Sequence, residues 1–110
     1  VYIVYVTTAS KEEAAIIGMA LVKEKLAACI NMSDSIQSIY EWEGQIRTHT
    51  ECVFIAKTME DRLQALISRV RSLHSYECPC IVAFPITHGN PEFLQWIQTQ
   101  TRETPPVMIA

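Results

Sequence analysis

Apolar and polar positions change their period several times along this chain, and each change marks an element. Val1 to Thr8 is a Val/Ile/Tyr run of the kind that forms a buried strand. Ser10 and Glu13 have the spacing of a capping box, which opens a helix running to about Lys25. That helix is apolar on more than one side, through Ile16, Ile17, Met19, Leu21 and Val22, and is expected to pack against more than the sheet beneath it. Cys29 to Met32 resumes as strand and is interrupted at Ser33-Asp34. Two long strand-like runs follow, Ser35 to Trp42 and Gln45 to Lys57, with Glu43-Gly44 turning the chain between them. Thr58, with Asp61 behind it, predicts the start of a second helix, where Leu63, Leu66, Ile67, Val70 and Leu73 recur at helical spacing. Cys80 to Pro85 is a further strand around the apolar run Ile81-Val82-Ala83-Phe84. Asn90-Pro91 supplies an N-cap and a proline at the first position of a short helix ending near Thr101.

The order strand, helix, strand, strand, helix, strand describes two βαβ units joined by a hairpin. It predicts an α+β, ferredoxin-like βαββαβ sandwich with an extended β-hairpin and a short C-terminal helix. The domain is expected to occupy residues 1–103, leaving 104–110, with Pro105-Pro106, as a tail or edge segment. The second arm of the hairpin would stretch roughly 40 Å at strand rise, whereas a domain of this size has a radius of gyration of about 13 Å. The hairpin therefore projects or bends, and its far half carries Ile39, Tyr40, Trp42 and Ile46, which are unfavourable in water. In the third strand Cys52, Phe54 and Ala56 alternate with Val53 and Ile55, so both of its faces call for burial. Both features predict a second copy of the chain against the sheet and hairpin.

The 110 residues, 49% hydrophobic and 19% charged, suit one folded domain. A net charge of −3 gives no bulk attraction to nucleic acid or an anionic membrane. No apolar run approaches the roughly 20 residues that span a bilayer. Val1 to Val6 lacks the basic start and cleavage site of a secretory signal. The four cysteines, Cys29, Cys52, Cys78 and Cys80, are read as reduced thiols in a cytoplasmic protein.

Several segments together resemble the CutA divalent-cation-tolerance family. Lys25-Leu26-Ala27-Ala28-Cys29-Ile30-Asn31 is similar to its K/R-L-A-A-C-V-N segment, and Ser38-Ile39-Tyr40-Glu41-Trp42-Glu43-Gly44 to its S-x-Y-x-W-x-G hairpin tip. Glu51 and Lys57-Thr58 stand where the family has Glu and Lys-Thr. His74-Ser75-Tyr76-Glu77 resembles its H-P-Y-E loop, and Pro85-Ile86, Gly89 and Trp96-Ile97 continue the pattern. The resemblance implies a homotrimer with inward-facing sheets and embracing hairpins, related in shape to the PII effector-binding proteins. It implies no enzymatic reaction, and divalent-cation tolerance with copper(II) or another divalent cation as the candidate ligand. The cysteine and paired histidines that the resemblance associates with copper fall on Thr7, Leu73 and His74, so only His74 remains as a metal candidate.

Other readings of these residues are plainer. His74 follows a helix, where its ring can satisfy the last carbonyls. Cys78-Pro79-Cys80 puts two thiols on one side of an extended segment, yet Cys-x-Cys alone is a weak metal signal. His49 and His88 read as surface residues. Glu51 and Lys57 share parity on one strand and, with Tyr76 and Glu77, form either an ion-pair network between subunits or a polar cleft walled by a neighbour's Tyr40 or Trp42. A cleft of that kind would take a small effector. A ferredoxin-like metallochaperone would carry Cys-x-x-Cys after the first strand, where this chain has Thr7-Thr8-Ala9-Ser10. An RNA-recognition module would need exposed aromatics in basic surroundings on its third strand.

Overall fold

The chain runs β1 (Tyr2–Thr8), α1 (Lys11–Lys23), β2 (Cys29–Trp42), β3 (Gln45–Thr58), a 3-10 turn (Glu60–Arg62), α2 (Leu63–Leu73), β4 (Ile81–Pro85) and α3 (Pro91–Thr101). This computed structural model describes residues 1–102, so the expected tail at 104–110 lies outside the described residues. The four strands form one antiparallel sheet in the order β2-β3-β1-β4, the ferredoxin-like arrangement that the element order predicts. Val4, Val6, Phe54 and Ala56 point from the sheet toward α1 and α2, where they meet Ile17, Leu21, Leu66 and Val70. All eight are 0% exposed.

Local chemistry accounts for most of the boundaries. Ser10 Oγ accepts the Glu13 N–H at 3.1 Å, while Glu13 Oε1 accepts the Ala9 N–H at 3.0 Å, so α1 begins on a capping box. Asn90 accepts the Glu92 N–H, with Pro91 in the first turn of α3. Glu43 and Gly44 both have positive φ, 53° and 77°, as a two-residue hairpin turn requires.

Thr58 departs from its expected role as a helix start. It closes β3, and its hydroxyl donates to the Leu26 carbonyl at 2.6 Å. That carbonyl lies inside the fold, where an unmet acceptor costs more than a surface cap contributes. The turn before α2 therefore begins at Met59 without a side-chain cap, and α2 itself starts only at Leu63.

The expected break at Ser33-Asp34 is a one-residue bulge within a continuous 14-residue β2. Pairing runs from Cys29↔Lys57 to Ser33↔Val53 and resumes at Ile36↔Glu51, with Ser35 at φ 61°. Odd-numbered residues of β2 share a face with Val53 before the bulge; even-numbered residues share it afterwards. Tyr40 and Trp42 thereby fall on the side of the sheet that the helices leave open, in line with Glu51. Beyond the bulge the hairpin extends away from the base. The molecule measures 63 × 31 × 21 Å with a radius of gyration of 15.8 Å, longer than the about 13 Å of an ordinary domain of this length.

Candidate functional site

The open face of the sheet carries a groove of about 450 Å³ where the hairpin leaves the base. Glu51 stands at that point in β3 and is only 8% exposed. Its Oε2 accepts the Tyr76 hydroxyl at 2.8 Å. Burial, and then the hydrogen bond and negative charge of Glu51, push the Tyr76 phenol well above its ordinary range, so it stays a neutral donor.

The loop bearing Tyr76 is fastened from two sides. The His74 N–H closes α2 on the Val70 carbonyl at 2.9 Å, and its side chain then turns back under β1. His74 Nε2 lies 2.7 Å from the Thr7 carbonyl, and Nδ1 accepts the Tyr76 N–H at 3.0 Å. A carbonyl only accepts and an amide N–H only donates, so Nε2 carries the proton and Nδ1 presents its lone pair to the loop. On the other side, the Ser75 N–H donates to Glu13 Oε2 at 2.8 Å. Burial pushes the Glu13 carboxyl up, but the hydrogen bonds from Ser75 and Ala9 outweigh it and hold the group below its ordinary value.

Tyr40 and Trp42 line the groove from β2 and are 38% and 52% exposed. Of the six residues expected to form a cleft, the structure brings Tyr40, Trp42, Glu51, Tyr76 and Glu77 to this one groove within a single chain. Lys57 stands apart. It lies six residues along β3 from Glu51, about 20 Å at strand rise, where its ammonium donates to Asn31 Oδ1 at 2.7 Å and sits 5.5 Å from the Phe93 ring centroid. Shared parity predicts a shared face and says nothing of separation along it. Parity with Glu51 would also have pointed to Arg47 and His49, which do line the groove. His49 Nδ1 lies 3.4 Å from the Tyr40 hydroxyl.

The donor set does not fit a metal centre at the positions that the resemblance marks. Both nitrogens of His74 are engaged by backbone groups, and the ring is 9% exposed. Leu73 has no donor. Among the described residues no three His, Cys, Asp or Glu side chains converge to hold an ion. Cys78 and Cys80 are exposed and line the groove, whereas Cys52 is buried beneath the helices, which pushes its thiol up.

Residues 2–100 match the family profile described as CutA1 divalent ion tolerance protein. The chain is 41% identical over 102 residues to "Protein CutA 1, chloroplastic" of Oryza sativa, covering 93% of this chain and 58% of that protein. It is 41% identical over 99 residues to the "Divalent-cation tolerance protein CutA" of Thermus thermophilus, covering 90% of this chain and 96% of that protein. The chain thus spans a little over half the length of the plant relatives and nearly all of the bacterial one. The crystal structure of CutA1 from Oryza sativa superposes with a TM-score of 0.90 at 41% identity, over 94% of each chain. The periplasmic divalent cation tolerance protein CutA of Archaeoglobus fulgidus superposes with a TM-score of 0.89 at 40% identity, over 92% of this chain and 98% of that one. None of these relatives bears an enzyme's name, and their names place them in different compartments, so they do not carry the cytoplasmic reading. No helix among the described residues is long and apolar enough to cross a membrane.

Proposed function

The chain belongs to the CutA1 divalent ion tolerance family, and from that premise we propose that it acts as a non-enzymatic homotrimer in divalent-cation tolerance. The observation that carries self-assembly is the apolar surface left on the hairpin and on the open face. Ile39 and Ile46 at the tip are 73% and 72% exposed, and Val82 and Phe84 on β4 are 52% and 48% exposed. Side chains of this kind, gathered on one projecting ribbon and one sheet face, favour a partner surface over water. A second copy offers a self-complementary one, and closed symmetry leaves no ribbon uncovered.

In this reading, copper(II) or another divalent cation acts without His74 as a ligand, because His74 holds the Tyr76 loop. A second reading is favoured by the groove itself: subunits respond to a small effector held by Glu51 and Tyr76, with the hairpin aromatics as its wall. The cytoplasmic location belongs to this proposal as well, on the reduced-thiol reading of the cysteines.

A native mass spectrum of chelator-stripped protein, before and after copper(II), tests both. The mass of three chains, with copper taken up at a fixed ratio in native protein and in His74→Gln alike, is the expected result. A single-chain mass in dilute solution would sink the trimer. A trimer that ignores copper would leave the effector reading in its place.

A further inference from the structure

His74 is buried, whereas His49 and His88 are exposed, and its two ring nitrogens have opposite roles. Nε2 donates to the Thr7 carbonyl at 2.7 Å, and Nδ1 accepts the Tyr76 N–H at 3.0 Å. The ring also lies against that of Tyr76, with centroids 4.8 Å apart. This pair of bonds requires the neutral imidazole. A second proton turns Nδ1 into a donor, which would then face the Tyr76 N–H, another donor. Imidazole is the side chain whose charge ordinarily changes between about pH 5 and 8. The contact that places the Tyr76 backbone is therefore the one a proton abolishes, while the bond to Thr7 survives it.

The surroundings supply a second position for the ring. From β1 it meets the Thr7 carbonyl. From α1 it faces Glu13, which holds the neighbouring Ser75 N–H at 2.8 Å and interacts electrostatically with His74. From β3 comes Glu51, which accepts the Tyr76 hydroxyl at 2.8 Å. On α2 itself, Arg69 is bonded to Glu24 and Arg71 is exposed, as is Glu77 beyond the loop. Burial opposes a charged ring. The charged groups bonded to this loop, Glu13 and Glu51, are both carboxylates and favour the imidazolium. The Ser75 tether to Glu13 does not involve the ring, so the loop stays anchored there when Tyr76 is let go.

We propose that His74 is a proton-operated latch on the groove: neutral, it holds the Tyr76 phenol over Glu51, and protonated, it releases Tyr76 and uncovers that carboxylate. Tyr76 and Glu51 both line the groove, so opening the latch changes its charge and leaves the sheet in place. Every contact in the latch lies within one chain, so it does not depend on how the open face is covered. It also stands apart from the cation and effector readings, neither of which requires a movable Tyr76.

The test follows the intact protein by nuclear magnetic resonance from about pH 8 to about pH 5. Ring nitrogen signals of His74, identified by their loss in His74→Gln, report its protonation. Amide hydrogen exchange, corrected for its intrinsic pH dependence, reports the Tyr76 N–H. The expected result is a ring protonated only at Nε2 at the upper pH. Tyr76 protection should then fall on the order of tenfold as the ring titrates, the scale of one lost hydrogen bond. The Ser75 amide, bonded to Glu13 and not to the ring, should keep its protection. The Glu51 carboxyl carbon signal should move with the same midpoint in native protein and lose that step in Tyr76→Phe. In His74→Gln, whose amide can donate to Thr7 and accept from Tyr76 without titrating, Tyr76 protection should stay flat. A ring that stays neutral until the protein unfolds, or one that titrates with no change at Tyr76, overturns the latch. An equal fall in His74→Gln would trace the effect to other groups and overturn it too. Should that variant not fold, unequal midpoints for the His74 ring and the Tyr76 amide in native protein refute the proposal. A Glu51 signal indifferent to the ring refutes its hold on the groove.

Discussion

Phe54 and Ile46 lie in the same strand, eight residues apart, yet Phe54 is 0% exposed and Ile46 is 72% exposed. The difference comes from the lengths of the covering elements. With 13 and 11 residues, α1 and α2 extend only about 20 Å and 17 Å at helical rise, whereas the 14 residues of β3 extend about 46 Å. The helices can roof less than half of the strand. Cys52, Phe54 and Ala56 are buried under that roof, and residues 45–50 are exposed beyond it. The base closes over its own core; the projecting half carries apolar side chains, Ile39 and Ile46 among them, that this chain leaves exposed. The groove forms at the junction, where Glu51 is the last buried residue before the exposed half begins.

This contrast is sharpest in the response to truncation. Phe54→Ala should lose about 3–5 kcal/mol of stability, the usual range for a large side chain removed from a closed core. Urea unfolding would show it, and a loss no greater than that of Ile46→Ala would erase the distinction between base and tip.

Thr58→Val comes next. It keeps the shape but leaves the Leu26 carbonyl without its donor, at a cost of about 1–3 kcal/mol. A neutral outcome in the same assay would mean that the strand end is not held by this bond.

Glu13 gives a pH-dependent effect of smaller size. Its folded value lies below the ordinary 4.5, so its stabilisation is fully present above 4.5 and is lost as pH falls through the folded value. The unfolding midpoints of native protein and Glu13→Gln should therefore be well apart at neutral pH and converge as the pH drops below 4.5. A gap that stays constant across that window would remove the carboxylate from the loop's support.

The smallest effect on the subunit itself is expected at the tip. Ile39→Ser with Ile46→Ser removes side chains that touch mainly solvent within one chain, so far-ultraviolet circular dichroism should be unchanged. Native mass should nevertheless shift from three chains toward one. An unchanged mass would show that the tip is not part of the subunit contact.

Much of this architecture was legible in residue order. The capping box at Ser10, the Glu43-Gly44 turn, the Asn90-Pro91 start and the helical stripe from Leu63 to Leu73 are short-range patterns, and each element appears where its pattern lies. Of the candidate site, Glu51, Tyr76 and Glu77 were grouped from the sequence with a neighbour's Tyr40 or Trp42 as the wall, whereas the structure lines one groove with this chain's own Tyr40 and Trp42 beside those three. Lys57 was grouped with them by parity and lies far along the strand, beside Asn31 and Phe93.

The amino-acid sequence by itself determined the order of elements, the overlong hairpin and the apolar surface it carries, because periodicity and turn chemistry act over a few neighbouring residues. Tertiary structure alone decided the rest. The hydroxyl of Thr58 went to Leu26, 32 residues away, and the ring of His74 to Thr7, 67 residues away. A one-residue bulge chose the face for Tyr40 and Trp42. Each of these outcomes depends on which carbonyl or strand register the folded chain brings within about 3 Å of a donor, a distance that no local pattern encodes.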